Sequence, residues 1–239
     1  VARACARSDP PEAPPVARWA VLAGDGVTAY ACPTSAAAWL RERFSARVAG
    51  AVVTSATLTA GSDFTRTRMG LGMPPAAFER QLPSPFDFAR ISRLTVVRLP
   101  AGAASRDEHG EAVTRELPHR VDPAEGTLVL FTARRQMAAT AERLRPLWGE
   151  ALICQDDASY QEVMRRHRAR IEAGQGSVLF GLASFAEGVD LPGALCRHVV
   201  ITKLPFAVPD GAVDRTYAEW LERRGRNPFM EGSVPDTAI

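Results

Sequence analysis

The chain has 239 residues, 46% hydrophobic and 23% charged, which is enough to bury a core and excludes both wholesale disorder and a fibrous repeat. Lys plus Arg is 29 against 27 for Asp plus Glu, so a formal charge of +2 gives no ground for a polyanion held by overall charge, and any nucleic-acid site must be local. Lys203 is the only lysine and no Gly-Lys-Ser/Thr triplet exists, which excludes a self-sufficient P-loop ATPase.

The chain opens at Val1 with a Pro-rich stretch to Pro15 and stops at Ile239 with no closing element, so it reads as a fragment. Val16 to Leu22 and Val27 to Cys32 read as two strands around Gly24-Asp25-Gly26, a hairpin. Thr34 or Ser35 then caps a helix whose Ala37, Leu40, Phe44 and Val48 form one apolar stripe suited to packing on a sheet. Gly50 ends it, and Ala51-Val52-Val53 is expected as a buried strand running into Thr54-Ser55-Ala56-Thr57-Leu58.

The Gly- and Pro-rich stretch from Gly61 to Pro85 reads as a crossing between domains. Leu94 to Leu99 is expected as a strand stopped by Pro100, and residues 101–122 as polar loop with at most one helical turn. Strands are then predicted over Thr127 to Phe131, Ala151 to Cys154, Ser177 to Phe180 and His198 to Thr202. Helices are predicted over Arg134 to Arg145, with Met137, Ala141 and Leu144 inward, and from a Ser159/Glu162 capping box through Ile171 to Gly174. Each strand is a short continuous apolar run, and at least the first three are joined through helices. The fold class is therefore α/β, a parallel sheet covered on both faces. Trp19, Trp39, Trp148 and Trp220 follow apolar periodicity and read as core.

Cys5, Cys32, Cys154 and Cys196 include no Cys-x-x-Cys pair and no His at ligand spacing, which argues against zinc or an iron-sulfur cluster within these residues. Cys154 and Cys196 read as reduced, buried thiols of a cytoplasmic protein. There is no basic-then-apolar leader, and no apolar run approaches the roughly 20 residues needed to span a bilayer.

In open parallel sheets ligands collect at the carboxyl ends of the strands. Four strand tails carry small, polar and Gly-containing sequence: Thr54 to Leu58, Phe131-Thr132-Ala133-Arg134, the stretch Gly181 to Gly193 (GLASFAEGVDLPG), and Thr202-Lys203-Leu204-Pro205-Phe206. Together with Ser84-Pro85-Phe86-Asp87-Phe88 they resemble, in order, the motifs of the DinG-like branch of the XPD-type DNA helicases of superfamily two. The resemblance covers about Trp19 to Ile239. It implies RecA-like motor domains, with residues 1–62 the last part of the first and 63–239 the second, truncated at its C-terminus.

The same resemblance implies site residues. Thr54, Ser55, Ala56 and Thr57 would couple nucleotide state to the DNA path, since strand-end hydroxyls can change partners when a cleft closes; a Ser/Thr-rich turn is the structural alternative. Thr132 would offer a neutral donor to a DNA phosphate, or simply cap the following helix. Glu187, Gly188 and Asp190 would face the nucleotide cleft, the alternative being a solvated turn. Ser184, Phe185 and Lys203 would contact DNA, Phe185 by stacking, although an aromatic there is more often core. Arg165, Arg166, Arg168 and Arg170 read as a solvated helical face in preference to a phosphate-binding one, and Asp156-Asp157 as helix N-terminal charge rather than a magnesium site.

Implied cofactors are ATP and Mg2+ in an intact enzyme, with an iron-sulfur cluster only in an upstream part. Implied partners are single-stranded DNA, ATP and the missing first motor domain, with no membrane. An intact protein of this kind would be a 5′ to 3′ ATP-dependent DNA helicase acting in repair or replication, to which these residues give one wall of the ATP cleft and part of the DNA track. The phosphate loop, the acidic box and the arginine motif of such helicases are absent from the 239 residues, so this chain alone is expected to be inactive. A non-catalytic nucleic-acid-binding α/β domain stays open as the alternative. A Rossmann-like cofactor enzyme is disfavoured by the lack of Gly-x-Gly-x-x-Gly after the first strand.

Overall fold

A computed structural model describes residues 13–24, 26–59, 61–99, 105–186, 189–206 and 210–234. They fall into two compact units, one from residues 88–205 and one from residues up to 87 together with those from 206 onward.

The 88–205 unit is built on a four-stranded sheet. Its strands are β3 (Gly126–Leu130), β4 (Leu152–Cys154), β5 (Ser177–Gly181) and β6 (His198–Ile201), all parallel and ordered β4-β5-β3-β6; β1 (Val16–Ala23) and β2 (Gly26–Pro33) belong to the other unit. Alternate side chains sort strictly by face. Val129, Phe131, Leu152, Cys154, Val178 and Phe180 join one cluster with Val113, Leu117, Met137, Ala141, Leu144 and Trp148. Leu128, Ile153 and Leu179 join another with Val163, Met164 and Phe185. The sheet is apolar on both sides because both sides are covered, as the continuous apolar runs predict.

One cover is a helix pair, Arg106–Arg120 and Arg134–Trp148, and the other is Tyr160–Glu172. The first of these occupies residues expected as loop. Ser105 and Glu108 close a full capping box at its start, and Ala112, Val113 and Leu117 are buried. Gly110 and Pro118 weaken its propensity, and packing overrides them. The helix at 134 runs three residues beyond the expected Arg145. At the helix from Tyr160 only half of the expected capping box forms: Ser159 Oγ accepts from the Glu162 N–H, while the Glu162 carboxylate is held by Arg165 and Arg166.

The other unit holds the hairpin. β1 (Val16–Ala23) and β2 (Gly26–Pro33) pair antiparallel, with Trp19 stacked on Tyr30 at 5.2 Å between ring centroids. Ala37–Arg43 and Thr65–Leu71 are short helices, and Ala212–Arg223 packs on β1. The helix at Thr65 lies inside the stretch expected as a crossing. Asp63 Oδ1 accepts from its first N–H at 2.8 Å, and Gly72 ends it in the left-handed conformation, its Cα against the backbone of Ala37.

Several expectations fail for one physical reason. Residues 51–53 and 94–99 form no strand, and Val52 is 93% and Leu94 91% exposed. Among the described residues neither segment enters a sheet ladder, although Leu99 packs half-buried against the sheet's core, and an apolar run without ladder partners forms no strand. In the stripe Ala37, Leu40, Phe44, Val48 no residue is fully buried and only Ala37 and Leu40 are half-buried, the helix stops at Arg43, and Trp39 is 62% exposed instead of in the core. Trp148 is buried as expected, whereas Trp19 and Trp220 are half-buried.

Candidate functional site

Because β5, β3 and β6 are parallel neighbours, their carboxyl ends leave the sheet side by side, about 4.8 Å apart per strand. Backbone bonds carry the alignment one step past the strands: Phe131 N–H donates to the Gly181 carbonyl at 2.8 Å, and Thr202 N–H to the Leu130 carbonyl at 3.0 Å. Thr202 Oγ1 donates to that same carbonyl. Thr132, the 182–186 turn and Lys203 therefore share one rim of the 88–205 unit.

At this rim Thr132, Ser184 and Lys203 are exposed, and none of their side-chain polar groups has a partner among the described residues. Thr132 is not a helix cap: the cap position is Ala133, with no side-chain bond. Its hydroxyl is left open to a ligand. Asp190 is exposed too, and its backbone carbonyl, not its carboxylate, is engaged by Arg168 Nη2 at 2.8 Å. Glu187 and Gly188 lie outside the described residues.

Phe185 corrects the stacking expectation. Its ring is 4% exposed and packs against Leu179, Val163 and the ring of Tyr160, at 5.2 Å between centroids. A buried face cannot receive a base, so the residue anchors the turn that carries Ser184. Gly181 makes room for it, since a Cβ there would fall 2.5 Å from Phe185 Cβ. Gln155, beyond β4, adds a second anchor that the sequence reading missed: its side-chain carbonyl accepts from the Leu182 N–H at 2.7 Å. The only sequence signal for it was its place at the end of an apolar run.

The charged residues near the rim pair with each other. Asp156 lies 3.0 Å from Arg134, and Asp157 takes Arg145 at 2.5 Å and the Cys154 N–H at 2.8 Å. The two aspartates thus sit just ahead of the Ser159 cap and are also ion-paired. On the helix from Tyr160, Arg165 and Arg166 share Glu162 at 2.7 Å each and Arg170 reaches the Gly176 carbonyl, so the arginine side chains are held by contacts within the unit. The two guanidinium hydrogen bonds hold the Glu162 carboxyl down to about 2.

Thr54, Ser55, Ala56 and Thr57 lie in the other unit and are exposed. Ser55 Oγ accepts from the Thr57 N–H at 3.2 Å and lies 3.3 Å from Thr57 Oγ1, a Ser/Thr turn that exposes its hydroxyls. Leu58 is tied to the helix at Thr65 through the Thr67 hydroxyl at 2.7 Å.

No group of three His, Cys, Asp or Glu side chains among the described residues could hold a metal ion. Cys154 is buried, and that burial pushes its thiol up to about 11, so it is a packing residue rather than a thiolate ligand. No described helix is long and apolar enough to cross a membrane.

Comparison with known proteins gives the family. The family model described as the helicase C-terminal domain matches residues 119–239. A protein from Photobacterium profundum named ATP-dependent DNA helicase DinG is 35% identical over 234 residues, covering 94% of this chain and 33% of its own length. Proteins of the same name from Escherichia coli K12 and Salmonella typhimurium are 32% identical over 194 residues, covering 79% of this chain and 27% of theirs. The chain thus spans a third or less of these curated relatives.

Proposed function

The chain belongs to the helicase C-terminal domain family, and from that premise we propose that it works as part of a DinG-like, ATP-dependent 5′ to 3′ DNA helicase of repair or replication. Its share is one wall of the ATP cleft and part of the single-stranded DNA track. The observation that carries this is the rim on which Thr132, Ser184 and Lys203 stand exposed and unpartnered at the carboxyl ends of neighbouring parallel strands. Hydroxyl and ammonium donors suit phosphate oxygens, which carry most contacts to a nucleic-acid backbone. Glu187, Gly188 and Asp190 are assigned to the nucleotide side, and Thr54, Ser55, Ala56 and Thr57 to coupling.

A division at residue 62 between the end of one RecA-like domain and a second over 63–239 is part of this proposal and rests on motif order. The compact units break elsewhere, after Asp87 and Pro205. ATP, Mg2+, a first motor domain and a cytoplasmic setting complete the reading. No described residues fit a metal or an iron-sulfur cluster, so no step is routed through either. Phosphoryl transfer is mostly positioning and charge stabilisation, and with no Gly-Lys-Ser/Thr loop the 239-residue chain is expected to show no DNA-stimulated ATP hydrolysis.

Binding of a labelled single-stranded oligonucleotide across a salt series tests the reading. The chain should bind weakly with strong salt dependence, and Lys203→Ala should lower the log-log salt slope by about 0.7, one phosphate contact. Thr132→Ala should weaken binding without changing that slope. Absence of binding at low salt, or indifference to both substitutions, would remove the DNA role. Tight binding at moderate salt would favour the non-catalytic binding module.

A further inference from the structure

His167 has no solvent exposure, yet both ring nitrogens are bonded. Nε2 lies 2.7 Å from the Leu195 carbonyl, which can only accept, so Nε2 carries the proton. Nδ1, 2.9 Å from Ser177 Oγ, then accepts from that hydroxyl. The histidine therefore joins one helix to the start of β5 and to the returning end of the segment between β5 and β6. Its neighbour Arg168 reaches the same segment at the Asp190 carbonyl. Gly126 lets that end approach closely, since a Cβ there would fall 2.2 Å from the Ala194 carbonyl oxygen. The outgoing end is fixed separately, by Gln155 on Leu182 and by the buried Phe185.

We infer that His167 and Arg168 are positioning residues that hold residues 189–195, and with them Asp190, in place at the rim. A buried polar side chain is tolerated only when its hydrogen bonds are met. Here they are met by the loop carbonyl and the sheet, which makes loop placement the condition of their satisfaction. Apolar packing alone would hold the helix on the sheet through Val163 and Met164, which lie on the same face. The histidine adds register for the loop. This deepens the proposed function, and it rests on that reading only for the claim that the held segment faces ligand.

Amide hydrogen exchange of the 239-residue chain, read by peptide, separates the two. Arg168→Ala removes the Asp190 tie from a half-buried side chain and should speed exchange in 189–195 about fivefold, with β3 and β5 unchanged. His167→Gln places an amide donor where Nε2 stood and should keep the protection of 191–197. His167→Asn, which reaches only Ser177, should lose it by about tenfold. Wild-type loop exchange in Arg168→Ala and His167→Asn would overturn the inference. So would an equal rise in β3 and β5, or equal behaviour of the Gln and Asn variants. Binding of a labelled adenine nucleotide by the same proteins reads the functional premise: altered loop exchange with unaltered nucleotide binding leaves the clamp standing and removes Asp190 from the nucleotide side.

Discussion

Residues 51–59 and 177–186 look alike on paper: each is an apolar run emptying into a small, hydroxyl-bearing tail. In the structure they are opposites. Ser177–Gly181 is a buried strand flanked by two others, and its tail is pinned by Gln155 and Phe185. Residues 51–57 are exposed along their whole length, and the tail is held by a hydrogen bond between its own residues and by the Thr67 hydroxyl on the Leu58 carbonyl. A strand is a property of its neighbours: with them an apolar run becomes a core, and without them the same composition carries no ladder.

The sharpest way to break this contrast is to delete one apolar side chain in each region. Phe180 is fully buried, between Phe131 and Trp148, so Phe180→Ala should cost about 3–5 kcal/mol of unfolding free energy. Val52→Ala should stay within about 0.5 kcal/mol. Denaturant titration followed by far-ultraviolet circular dichroism measures both, and comparable losses would show that residues 51–53 are buried after all.

A smaller effect comes from adding one methyl. At Gly181 the new Cβ would meet Phe185, which must move and carry Ser184 with it, so Gly181→Ala should cost about 1–3 kcal/mol and weaken DNA binding. Gly50 has an ordinary backbone and open space around its Cα, and Gly50→Ala should be neutral to about 0.5 kcal/mol in stability and silent in binding. A silent Gly181→Ala would mean the 183–185 turn is not seated on the strand.

What the sequence made legible follows the same division. The strands β3 to β6, their parallel order class and the inward Met137, Ala141 and Leu144 were readable because their partners are in the chain. The helix at 106–120 was missed because it buries only a narrow stripe and contains Gly110 and Pro118, although Ser105 and Glu108 already spelled its capping box. Phe185 and Trp39 were misplaced in opposite directions, since periodicity gives the side of an element that can be buried and not whether anything covers it. The rim residues Thr132 and Lys203 were readable from their place after apolar runs. Gln155, His167 and Ser177 were not, because their role exists only in three-dimensional pairing.

The mildest contrast is in acid. His167 is pushed below the usual histidine range, first by burial, then against the Leu195 carbonyl bond that favours its proton, with the Arg168 guanidinium adding to the depression. Its folded pKa is depressed, so the unfolded chain binds the proton more readily. The resulting stability is complete above the unfolded value near 6.5 and declines as pH falls from there through the folded value. Asp63, in the other unit, is also depressed, first by the Thr65 hydroxyl and then by the Thr65 N–H. Its contribution is complete above the unfolded carboxylate value near 3.9 and declines only below it. The 88–205 unit should therefore begin to lose stability about two and a half pH units before Asp63 matters. Unfolding measured by peptide-resolved exchange at pH 7, 5 and 4 should show the β3 and β5 peptides weakening between 7 and 5, while peptides around residues 63–71 hold until about pH 4. In His167→Gln the upper decline should vanish and the lower one remain. Persistence of the upper decline in that variant would assign it to another group and leave the histidine without a part in the acid response.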